Sequence, residues 1–77
     1  MPTDAQCDRA AVGIYAVMGR DPIDGLDLVR ECEDIRTLET LYAMLTAEGS
    51  VKTDKELNRL MAGPTKRRLD QLKAEKP

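Results

Sequence analysis

Apolar positions recur every three or four residues along this chain, and strict alternation of apolar with polar is missing. Cys7, Ala11, Ile14, Tyr15 and Met18 make the first such row. It follows Thr3-Asp4-Ala5-Gln6, where the Thr3 hydroxyl is spaced to accept from the Gln6 N–H and the Gln6 side chain to reach back. The row predicts a helix over residues 4–18, with Gly19 as a left-handed stop. Asp21-Pro22 reads as an N-cap followed by proline at the first helical position. It opens a second helix whose buried side is Leu26, Val29 and Cys32, with Leu28 beside them. Asp34 is placed to cap a third helix, with Ile35, Leu38, Leu41, Tyr42 and Leu45 as its stripe and Gly49 as its end. No Gly or Pro separates the second helix from the third, so one bent rod and two rods both fit.

Thr53-Asp54-Lys55-Glu56 is a second capping box, opening a short helix with Leu57, Leu60 and Met61 inward. Ala62-Gly63-Pro64 is expected to break it. Thr65 then caps a last helix carrying Leu69 and Leu72, and the residues after Lys73 are expected to fray. With β-branched residues sparse as well, the pattern predicts an all-α fold. The expected architecture is a compact bundle of four to five short helices forming one domain over residues 1–77.

Composition narrows the picture. At 77 residues with 42% hydrophobic content there is material for one small core, and more than a disordered chain carries. The longest uncharged apolar run, Ala10 to Gly19, is too short to span a bilayer. No basic segment precedes it, so neither a signal peptide nor a membrane partner is expected. A core of this size supplies roughly 3–5 kcal/mol, which makes a homodimer a natural partnership. Cys7 and Cys32 both fall on apolar sides, where a thiol behaves as a small hydrophobe. Two reduced thiols are therefore expected rather than a disulfide or a metal site, which points to the cytoplasm.

Histidine is absent, and with it the commonest general base and metal ligand. The glycines, at 13, 19, 25, 49 and 63, are too scattered to form a phosphate loop. The expectation is a non-enzymatic protein with no catalytic residue, no metal and no cofactor.

Charge adds the first positive hint. Residues 1–51 hold four basic and ten acidic side chains, net −6, while residues 52–77 hold eight and four, net +4. Asp24, Asp27, Glu31 and Asp34 follow one another at spacings of 3, 4 and 3, which on a continuous helix puts them on one face. Carboxylates favour a helix N-terminus, which accounts for Asp24 and Asp27 but not for Glu31 or Asp34. Asp27 and Glu31 are a like-charge pair, costing about a few tenths of a kcal/mol. The stripe is either a solvated face with Arg30 nearby or a contact for a basic surface on a protein partner, including a nucleic-acid-binding protein. The leading expectation is a small regulator or inhibitor acting by protein–protein binding, with a mobile-element or phage-type inhibitor as one form it could take. The exposed rim of Tyr15 or Tyr42 would extend the contact.

From Thr37 onward the order is helix, linker, capped short helix, Gly-containing turn, basic helix. This order resembles the helix-turn-helix modules of small transcription regulators, over roughly residues 38–75. The resemblance implies DNA as the alternative partner, with the helix after Thr65 in the major groove. Lys66, Arg67 and Arg68 would then face DNA, with Gln71 and Lys73 next. Asn58 and Arg59 stand where the motif has an apolar and a small residue, and Pro64 where an apolar turn residue packs. A third alternative is a dimerising structural subunit.

Overall fold

The structure, a computed structural model, describes residues 3–47 and 55–75. The first helix, α1, spans Asp4–Arg20 and carries the expected capping box. Gln6 donates its N–H to Thr3 Oγ1 at 3.2 Å, and Thr3 donates its N–H to Gln6 Oε1 at 2.9 Å. The helix runs past the expected end, because Gly19 stays helical and Asp21 makes the stop. Asp21 is extended, at φ −144° and ψ 100°, while its N–H still reaches the Val17 carbonyl at 2.7 Å.

The same residue starts α2, Pro22–Glu31: Asp21 Oδ1 accepts from the N–H of Ile23 at 3.0 Å and of Asp24 at 3.3 Å. One aspartate thus closes one helix and opens the next, and proline fills the position where its missing N–H costs nothing. The question of one rod or two is settled at Cys32, whose extended backbone (φ −69°, ψ 131°) ends α2. The third helix, α3, begins after a three-residue link and spans Ile35–Thr46. Asp34 occupies its N-cap position without a side-chain capping bond. Ala47 is extended and ends α3; the expected stop at Gly49 and the start of the second capping box at Thr53 and Asp54 lie outside the described residues.

The last helix corrects the sequence reading. Residues Lys55–Glu75 form one continuous helix, α4, with Pro64 inside it. No turn separates a short helix from a basic one, and Thr65 is not a cap. Thr65 is fully buried in mid-helix, donating its hydroxyl to the Met61 carbonyl at 2.7 Å. The helix also stays regular through Ala74 and Glu75, where fraying was expected. Pro64 removes one N–H from the ladder, that which would serve the Leu60 carbonyl. Continuity compensates: Asn58, Met61, Thr65, Leu69 and Leu72 stay in register as one buried row across the proline. The same register sends Leu60 outward, 68% exposed, against the inward position expected for it.

The four helices close a ring in the order α1, α2, α4, α3, each packing on its two neighbours. Inside it lie Ala11, Ile14, Met18, Val29, Leu38 and Leu41, joined by Leu45, Met61, Leu69 and Leu72. The fold is therefore all-α with four helices among the described residues, the low end of the expected range. Cys7 is buried and Cys32 half-buried, both as free thiols. None of the described helices is long and apolar enough to cross a membrane.

Candidate functional site

At 100° per residue, Ile23, Asp24, Asp27 and Glu31 fall on the side of α2 opposite Gly25 and Val29, which are buried, and Leu28 lies on the flank of that face. All five are exposed, Ile23 to 71% and Leu28 to 37%. The acids are nearly unopposed: Arg30 Nη1 stands 3.9 Å from Asp27 Oδ1, and both side chains are mostly in solvent. Asp34 is exposed too, but it does not continue the stripe. The expected single face needed a continuous helix, and the extended backbone at Cys32 interrupts it. Three of the four predicted acids share a face, and the fourth sits at the head of α3.

The predicted basic residues divide as well. Lys66 to Arg68 lie past the middle of α4 instead of in a first turn, so no helix N-terminus opposes their charge. Lys66 and Lys73 are seven residues apart and share one edge of the helix. On that edge Lys66 Nζ holds Asp70 Oδ1 at 3.0 Å and lies 5.9 Å from the centre of the Tyr42 ring. The bond to Asp70 raises the Lys66 pKa above the usual lysine value. Arg68 and Gln71 occupy the other edge, against α2. Arg68 donates Nε to the Cys32 carbonyl at 3.0 Å and Nη1 to Gln71 Oε1 at 3.0 Å.

That arginine bond marks a joint. Cys32 ends α2, gives its carbonyl to α4, and points its thiol at the Asp34 carbonyl, 3.7 Å away. Burial pushes the Cys32 thiol above its usual pKa and keeps it protonated. Beside the joint, α2 and α4 flank an open depression of about 770 Å³. Arg30 lines it from α2, and Arg67, Arg68 and Gln71 line it from α4. Its apolar lining is Leu26 and Pro64. Sequence reasoning placed Arg67, Arg68 and Gln71 together but missed Arg30 and Leu26. The signal was there, since residues 26 and 30 are one turn apart on the edge of α2.

A polar cluster on the opposite side of the molecule was also missed. Asp8 on α1 accepts from Arg36 Nε at 3.2 Å, Arg36 Nη2 at 3.4 Å and Thr40 Oγ1 at 2.9 Å, both partners being on α3. These bonds hold the Asp8 carboxyl below its usual pKa, the Arg36 guanidinium contributing most. Among the described residues no three His, Cys, Asp or Glu side chains come together as a metal-holding group. Comparison with protein-family models, curated proteins and solved structures finds no match for this chain.

Proposed function

We propose that this chain is a small, non-enzymatic regulator or inhibitor that works by binding another protein, with the outer face of α2 as its contact. The observation that carries this reading is the exposure of Asp24, Asp27 and Glu31 on one face, bracketed by exposed Ile23 and Leu28. Like charges one turn apart cost a helix about a few tenths of a kcal/mol per pair, and among the described residues only the long, solvated Arg30–Asp27 contact at 3.9 Å offsets that. A basic partner surface would do so more strongly. Two aliphatic flanks beside the charges supply the apolar contact area that salt bridges alone do not. The two free thiols suit a reducing compartment, so the cytoplasm is the proposed location.

DNA binding through α4 is the weaker reading. In its favour, Arg67, Arg68 and Gln71 adjoin Arg30 in one depression. Against it, Lys66 is paired with Asp70, Arg68 is tied to Cys32, and the lysines lie on the other edge. The turn that the helix-turn-helix resemblance requires is absent, because α4 runs straight through Gly63 and Pro64.

The test is nuclease-treated affinity capture from the source cell with the intact chain and a D24N/D27N/E31Q variant run in parallel. The expected result is a protein retained by the first and depleted about tenfold or more from the second, a loss of about 1.4 kcal/mol. Retention should also weaken with salt. Equal capture by both chains would overturn the reading, as would a partner released by the nuclease. Capture of the chain's own second copy alone would turn it into the dimerising-subunit reading.

A further inference from the structure

Arg30, Arg67 and Arg68 converge on the depression between α2 and α4, and the fold uses only one of them firmly. Arg68 is fixed by the Cys32 carbonyl and by Gln71, which leaves its Nη2 without a partner among the described residues. A guanidinium held in place loses little freedom when it binds an anion, and its planar fork matches a carboxylate. Arg67 is exposed and has no partner among the described residues. Arg30 holds Asp27 only at 3.9 Å. Asp70, the one acid in the lining, is already bonded to Lys66 at 3.0 Å. The depression is therefore positively charged, with Arg68 preset, Arg67 exposed, and Arg30 held only by its long, solvated contact with Asp27.

The apolar lining decides what kind of anion fits. Leu26 and Pro64 are aliphatic, and neither tyrosine lines the depression. Tyr42 lies under Lys66 on the other edge of α4, and Tyr15 belongs to α1. Single-stranded nucleic acid gains much of its affinity from bases stacked on aromatic rings, and here there are none to stack on. A protein segment with carboxylates beside aliphatic side chains meets both halves of the lining. We propose that the depression between α2 and α4 is a docking groove for an acidic, aliphatic segment of a protein. Arg67 and Arg30 would grip its carboxylates around the preset Arg68, with Leu26 and Pro64 against its aliphatic side chains. This site borders the outer face of α2 where Arg30 meets Asp27, and either can hold without the other.

The test titrates the full chain, isotope-labelled for NMR, with a short peptide alternating acidic and leucine residues at low salt. A peptide of equal length with Asn and Gln in place of the acids is the control. The expected result is saturable shifts at Leu26, Arg30, Arg67 and the Gln71 side-chain amide, with a Kd of about 100 μM or tighter. An R30A/R67A variant should weaken binding about tenfold or more, while K73A, on the other edge, leaves it unchanged. R67A alone, at an exposed site with no partner among the described residues, should cost about threefold and covers the case in which losing Arg30 loosens α2. The D24N/D27N/E31Q variant should bind the peptide as well or better, which separates this site from the α2 face. No saturation by about 1 mM, equal binding of the neutral control, or insensitivity to R30A/R67A would overturn the proposal. Tighter binding of single-stranded or duplex DNA at the same residues would assign the groove to nucleic acid instead. The same shifts arising from protein concentration alone would assign it to a second copy.

Discussion

Gly25 lies so close to Met18 that a Cβ on it would stand 2.9 Å from the Met18 Cα and closer still to the Met18 Cγ. The contact is where α2 packs on α1, and the obstruction includes backbone, so rotating the methionine side chain does not clear it. Alanine gains about 1 kcal/mol of helix propensity over glycine. Overpacking that forces backbone apart costs about 1–3 kcal/mol. Gly25→Ala should therefore be neutral to destabilising by about 2 kcal/mol, and Gly25→Val worse, in urea denaturation. Gly13→Ala makes the comparison, since an added Cβ there meets nothing within 4 Å. It should raise stability by up to about 1 kcal/mol, or roughly 4–8 °C in Tm.

Two buried threonines differ only in whether the hydroxyl is satisfied. Thr65, 0% exposed, bonds the Met61 carbonyl, whereas Thr37, 1% exposed, has an Oγ1 with no partner among the described residues. An unmade buried hydrogen bond costs about 1–3 kcal/mol, and valine keeps the branched shape without the oxygen. Thr37→Val should stabilise the protein by about 1 kcal/mol. Thr65→Val should destabilise it by a similar amount. Denaturation midpoints of the two variants, moving in opposite directions, check the pair.

Proline inside α4 deletes one ladder bond and crowds the Leu60 carbonyl, a cost of about 3 kcal/mol in an isolated helix. Part of that is recovered because proline also restricts the unfolded chain, by about 0.4–1 kcal/mol. Pro64→Ala should raise stability by about 1–3 kcal/mol and give the new amide at position 64 protection from hydrogen exchange. A fast-exchanging amide there would mean that the helix really turns at Gly63 and Pro64.

That position also shows what the sequence leaves undecided. Short-range chemistry was legible: Thr3 with Gln6, Asp21 before Pro22, and the stripes of α1 and α3 are all local patterns, and the structure realises each. The Gly-Pro pair was misleading, because its local cost is real but is outweighed by the buried row from Asn58 to Leu72. That row exists only once three other helices are in place. The acidic stripe failed at Asp34 for the opposite reason. Nothing local marks a break at Cys32, yet its carbonyl takes a bond from Arg68 of α4, 36 residues away in sequence. The groove follows from the same long-range packing, since Arg30 and Arg67 become neighbours only when α2 meets α4.

The link between α1 and α3 should be sensitive to acid. Asp8 is bonded to Arg36 and Thr40, and these bonds favour its ionised form, so its folded pKa lies below the ordinary value of 3.8. A carboxylate with a depressed folded pKa stabilises the fold fully above its unfolded pKa. The contribution is lost as pH falls from the ordinary carboxylate value through the depressed one. At neutral pH Asp8→Asn should be less stable than the native chain, because the amide cannot pair with the guanidinium. Both Asp8 and Arg36 are about half exposed, so added salt should narrow the gap. Below the folded pKa the native Asp8 is neutral as well, and the gap should close. Urea denaturation of both chains at pH 7 and in steps below pH 4 measures it. A gap that persists at the lowest pH would place the role of Asp8 in its shape and its bond to Thr40, not in its charge.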